Sequence, residues 1–132
     1  MQELQDEFLQ ARRPDFEGRQ GIAAGDLNRD GHVDMVYGPY WFAGPDFQTK
    51  HEIFPAKPQP VEGYANHFFA WVYDFDGDGD NDVLGSEPHG FGLWWFEHLP
   101  NDEWKQHEID RSVSQLHGVN LVDMNSDGLP DI

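Results

Sequence analysis

The chain alternates short apolar segments with acidic, glycine-bearing turns, and its apolar positions recur every second residue instead of every third or fourth. Counting back two and four residues from Asp26 gives Ala24 and Ile22; from Asp74, Val72 and Ala70; from Asp123, Leu121 and Val119. Each pair would share one face of a strand. Beyond the acidic turns stand Met35-Val36 and Val83-Leu84, with Ile132 opening a third such segment. Gly38-Pro39 closes the first and Gly85 to Pro88 the second, which predicts short strands ending in turns. An aromatic strand is expected next, at Tyr40-Trp41-Phe42 and at Leu93 to Phe96. A fourth is expected at Lys50-His51-Glu52-Ile53 and at Lys105-Gln106-His107-Glu108-Ile109. Helical periodicity is weak apart from a short turn near Glu3 to Leu9, so the expected fold class is all-β.

The acidic turns begin at Asp26, Asp74 and Asp123, offsets of 48 and 49 residues. Four strands in a unit of that length is the pattern of a propeller blade. The expected organisation is a lead-in over 1–18, taken as the last strand of a preceding blade, blade repeats over 19–66 and 67–115, and a truncated repeat over 116–132. A propeller usually takes about four to eight blades. Two four-stranded blades plus parts of flanking ones are therefore expected to be a β-propeller fragment, with the rest of the parent propeller missing.

Each turn follows D-x-[DN]-x-D-G-x-x-D. Calcium takes about six to eight oxygens, and a loop supplies them only if alternate side chains converge while the backbone turns sharply. In the first loop Asp26, Asn28, Asp30 and Asp34 would converge with the carbonyl of His32, and Gly31 permits the turn. The second offers Asp74, Asp76, Asp78 and Asp82 with the carbonyl of Asp80 around Gly79. The third offers Asp123, Asn125, Asp127 and Asp131 with the carbonyl of Leu129 around Gly128. Crowded carboxylates repel one another by several kcal/mol in total, a penalty that a divalent ion removes. Asp, Asn and Gly also populate turns for conformational reasons alone, but three copies in register favour ion capture. Up to three calcium ions are expected, the third held less tightly because the strand behind Asp131 ends one residue later. Magnesium fits less well, since it demands near-octahedral geometry and keeps its water. An EF-hand is excluded by Tyr37 and Gly85, which stand where its twelfth-position Glu would be, and by strand-like flanks.

Composition sharpens this picture. The 132 residues carry a formal charge of −17, which would repel nucleic-acid phosphates and anionic lipid and favour cations. With 38% apolar and 14% aromatic residues there is material for a core. The absence of cysteine removes disulfides and thiolate metal sites. No apolar stretch is long enough for a membrane span, and the acidic N-terminal segment does not resemble a signal peptide. Weak calcium sites suit an extracellular or periplasmic setting, where the ion is abundant.

The segments Gly25 to Asp34, Asp74 to Gly85 and Val122 to Ile132 resemble the FG-GAP/VCBS repeats of calcium-bearing β-propellers. The Trp-Phe pairs followed by Lys-His-Glu-Ile or Lys-Gln-His-Glu-Ile look like the outer strands of such blades. The resemblance spans residues 19–132 and implies blades with calcium in the loop joining the first two strands. It also implies a non-catalytic module presenting a surface to a protein or glycan. The alternative is a piece of a carbohydrate-active propeller enzyme of the sugar dehydratase or polysaccharide lyase type. For that alternative His67 and His117 are the channel-lining candidates, seven and six residues before their loops. In regular strands that spacing sends them to opposite faces unless a bulge intervenes. His51 and His107 occupy matching fourth-strand places and read as structural, as do Trp41, Trp71, Trp95 and Trp104; His32, His89 and His98 form no constellation. No nucleophile, phosphate-loop or zinc motif occurs, so no catalytic residue is assigned.

Overall fold

Period-two patterning and closely spaced turns produce two hairpin-linked sheets in the computed structural model, which describes residues 22–56, 69–86, 91–114 and 119–132. The first sheet consists of β1 (Ile22–Gly25), β2 (Asp34–Tyr37), β3 (Tyr40–Phe42) and β4 (Lys50–Glu52). The second consists of β5 (Phe69–Tyr73), β6 (Asp82–Ser86), β7 (Phe91–Leu99) and β8 (Glu103–Ser114). In both, spatial order equals chain order and every pairing is antiparallel. Each strand therefore needs only a short return to its neighbour. The fold is all-β and consists of two four-stranded propeller-type blades. The strands expected in the first two repeats all form. The lead-in and the Glu3 to Leu9 turn lie outside the described residues.

In the third repeat Val119 and Leu121 do not form the expected strand. A single bridge joins Val122 to Asp131, with N···O distances of 3.1 and 2.9 Å. One bonded pair makes no ladder, so the segment is held by packing instead: buried Val119 and half-buried Leu121 lie against Leu84 and Leu93.

Strand register decides which side chains meet. Ala23 faces Val36 across the first sheet, Val36 faces Trp41, and Trp41 faces His51. Val72 faces Val83 and Val83 faces Phe96 across the second. These two rows close on one another, and Ala23, Leu27, Val36, Trp41, Ile53, Val83 and Phe96 form one core between the blades. On its other face the first blade buries Met35, Tyr37, Phe42 and Phe47. Both faces of the sheets are thus covered, and every residue of β2 and β6 is buried. Burial of each large apolar side chain contributes about 1.5–3 kcal/mol. Among the described residues no helix is long and apolar enough to cross a membrane.

The approach of β1 to β5 is close enough to require a glycine. A Cβ added at Gly25 would collide with the side chain of Val72. Gly25→Val is expected to destabilise the chain by about 1–3 kcal/mol through overpacking. Urea denaturation checks this, and an unchanged midpoint would contradict the close contact.

Candidate metal-binding loops

The loops linking β1 to β2 and β5 to β6, and the acidic loop after Leu121, share one backbone path. Their fourth residues, Arg29, Gly77 and Ser126, have φ of 60°, 74° and 62°, and their sixth, Gly31, Gly79 and Gly128, have φ of 83°, 93° and 87°. Two left-handed residues in alternation curl the chain around the odd-numbered side chains. For Arg29 and Ser126, which carry a Cβ, that conformation costs roughly 1–2 kcal/mol each. Hydrogen bonds within the loops offset the cost. Asp26 accepts from the N–H groups of Asp30 (3.2 Å) and Gly31 (2.9 Å), Asn28 from Asp30 (3.2 Å), and Asp30 from His32 (2.8 Å). In the third loop Asp123 accepts from Asp127 and Gly128, Asn125 from Asp127, and Asp127 from Leu129, the same four bonds. In the second loop Asp74 accepts from Gly77 and Gly79, Asp76 from Asp78, and Asp78 from Asp80.

The consequence is convergence of oxygen. Asp74, Asp76 and Asp78 each place a carboxylate oxygen within 4.8 Å of the others. The first and third loops carry Asn28 and Asn125 where the second has Asp76, so two acidic groups and an amide oxygen stand in the matching positions. Asp76 is exposed, yet its carboxyl is raised above its ordinary value, by partial desolvation first and with repulsion from Asp78 adding to it. The donors are hard oxygens with no sulfur among them, a set that fits calcium.

The ninth residue of each loop has a different place. Asp34 is fully buried: its Oδ2 accepts from Leu27 N–H at 2.7 Å and its Oδ1 from Gly44 N–H at 2.8 Å. Asp82 is equally buried and accepts from Phe75 N–H at 3.0 Å and His98 N–H at 2.9 Å. Asp131 accepts from Met124 N–H at 2.8 Å. Asp34 and Asp82 tie the start of their loops to their sheets, whereas Asp131 closes the third loop on itself. Burial raises the pKa of Asp34 and Asp82, although the backbone N–H bonds pull the other way. Repulsion from Asp30 on Asp34, and from Asp76 on Asp82, adds to the rise. Asp34 and Asp82 thus feel the charge of their loops even while they serve as tethers, and a nearby dication would relieve that repulsion.

The first and second loops also hold each other. Arg29 donates from Nε to the carbonyl of Gly79 (2.7 Å), from a terminal nitrogen to the carbonyl of Asp78 (3.2 Å), and pairs with the Asp80 carboxylate at 2.8 Å. In return Asn81 Nδ2 donates to the carbonyl of Asp26 at 2.8 Å.

Nearby, Asp102 joins the blades in a way that sequence spacing did not reveal. It sits in the Pro100–Asp102 turn between β7 and β8, where Asn101 and Asp102 have φ of 66° and 58°. Its Oδ2 lies 2.7 Å from His51 Nδ1, while Oδ1 accepts from Trp41 Nε1 (3.2 Å) and Trp104 Nε1 (3.3 Å) and lies 3.2 Å from His98 Nε2. His51 stacks on Trp41 at 4.0 Å and His98 on Trp104 at 4.1 Å. His98, expected to have no constellation, is therefore part of one, assembled from residues whose partners lie on different strands. His107 stacks on Trp95 at 4.4 Å as His51 does on Trp41, but takes its carboxylate, Glu97, from its own sheet at 2.7 Å. The structural reading of His51 and His107 agrees with this packing. His67, His89 and His117 lie outside the described residues.

The two classes of loop carboxylate should respond differently to removal. Asp82→Ala leaves the N–H groups of Phe75 and His98 without their acceptor and should cost about 1–3 kcal/mol for each one left unpaired. Asp76→Ala, at an exposed position, should change metal-free stability by no more than about 0.5 kcal/mol. Chemical denaturation in the presence of a chelator checks the contrast, and equal losses would contradict the assignment of tether and rim.

Residues 74–132 match the family model described as FG-GAP-like repeat. No curated protein and no solved structure gives a significant match to the chain. The matched stretch begins on the first carboxylate of the second loop, runs through β6, β7 and β8 and includes the third loop, so it is the second blade from its loop onward, with the loop after it, that is similar to an FG-GAP-like repeat.

Proposed function

We propose that the chain is a calcium-binding repeat module of a larger exported protein, in which the ions stiffen the corners of the blades and the blades present a surface to a protein or glycan partner. The observation that carries this reading is the trio of loops with one backbone path, above all the Asp74, Asp76 and Asp78 oxygens drawn within 4.8 Å of one another. Those residues, with Asp26, Asn28, Asp30, Asp123, Asn125 and Asp127, would hold the ions by their side chains. The carbonyls of His32, Asp80 and Leu129 would complete the shells, and Asp34, Asp82 and Asp131 would back them. Blade repeats over 19–66 and 67–115, with a partial one over 116–132, accommodate both complete sheets and the third loop.

What calcium supplies is charge neutralisation. The protein supplies a preformed curl, because the fourth and sixth residues already hold the left-handed conformations that aim the odd-numbered side chains inward. A site organised before the ion arrives loses little conformational entropy on binding. Extracellular or periplasmic calcium concentrations suit loops of this kind, and the formal charge of −17 favours a cationic surface on any macromolecular partner.

Calcium at about a hundred times its Kd should stabilise the chain by about 2.7 kcal/mol for each occupied loop. Asp76→Ala should remove the share of the second loop and leave that of the third. Thermal denaturation with calcium and with chelator reads this directly. An unfolding midpoint that does not move with calcium would sink the proposal.

A further inference from the structure

We infer that calcium uptake by the first and second loops is cooperative, whereas the third loop fills independently. The inference rests on the calcium reading above and adds to it a route of communication. Arg29 lies between Asn28 and Asp30, two expected ligands of the first loop, so an ion there fixes the backbone from which its side chain departs. That side chain ends on the carbonyls of Asp78 and Gly79 and on the carboxylate of Asp80, all within the second loop. The return contact runs from Asn81, between the expected donors Asp80 and Asp82, to the carbonyl of Asp26, the residue that opens the first loop. Each loop is therefore held in shape by a side chain rooted between the ligands of the other. Ordering one lowers the entropy lost in ordering its neighbour, which is positive coupling, and linkage makes it reciprocal.

The repeat supplies its own control. At the boundary between the second and third loops the place of Arg29 is taken by Gly77, which has no side chain, and that of Asn81 by Pro130, which has no donor. Neither half of the clamp can be built there. The coupling is accordingly confined to one pair of loops.

Charge acts in the opposite direction to coupling, since the Arg29 guanidinium beside the second loop repels a dication. The test must separate the two, and Asn81→Ala does so because it cuts one arm of the clamp without changing charge. Arg29→Gly cuts the other in a residue whose φ of 60° suits glycine, so the loop should still form. Calorimetric titration of the whole chain with calcium should show the first loop losing about fivefold in affinity when Asp76→Ala and Asp78→Ala together disable the second. The loss should shrink in the Asn81→Ala background or the Arg29→Gly background and vanish when the two are combined. Disabling the third loop by Asp123→Ala and Asp127→Ala should leave the first unaffected. Calcium bound with equal affinity by the first loop whether or not the second is disabled would overturn the coupling and leave the calcium reading intact. Absence of calcium uptake by the unmodified chain would overturn both.

Discussion

A buried carboxylate holds each complete hairpin corner to its sheet, and the rest of the site hangs from it. Asp34 and Asp82 spend both oxygens on backbone N–H groups, one at the start of the loop and one near the end of the third strand, at Gly44 just past β3 and at His98, next to last in β7. Their desolvation is costly, as the raised pKa values show, and the hydrogen bonds offset part of it. With the ends of the loop fixed in this way, its middle has few conformations left. The left-handed fourth and sixth residues then turn the first, third and fifth side chains onto a common point. Repulsion among those side chains is the residual strain, and a cation is the natural means of relieving it.

The two blades meet through three kinds of contact with different physical character. The core around Val36, Trp41, Val83 and Phe96 supplies non-directional stabilisation by excluding water. Gly25 against Val72 sets the closest distance at which that burial can occur. The polar contacts at Asp102, Arg29 and Asn81 add direction, since each has one geometry in which its donors and acceptors are satisfied. Asp102 is the most connected, gathering two indoles and two imidazoles from both blades onto a single carboxylate. In the second blade the corresponding Trp-His stack closes on Glu97 of the same sheet, so it needs no acid from a neighbour.

The first two loops are also joined where the second and third are not. Arg29 and Asn81 have Gly77 and Pro130 as their counterparts one repeat later, although the loops have the same curl. A repeat can thus keep its local geometry while changing the side chains that speak to its neighbour.

Much of this was legible in the chain itself. Alternation of apolar residues marked the strands, and the period of about fifty residues marked the blades, because both depend on spacing that any local stretch of sequence displays. The acidic loops were legible for the same reason, since one nine-residue pattern contains the carboxylates that the curl draws together at Asp74, Asp76 and Asp78. Sequence did not separate the ninth carboxylate from the others, because its partners at Gly44 and His98 lie ten and sixteen residues away and its burial depends on the whole sheet. Nor did it reveal Asp102 and His98 as a junction, or Arg29 as a clamp. Their partners on the other blade lie 49 to 61 positions away, outside any local stretch of sequence; they meet only because two sheets stack face to face. Local conformation was written in the order of residues, whereas contact between blades was decided by the packing that hides their apolar faces from water.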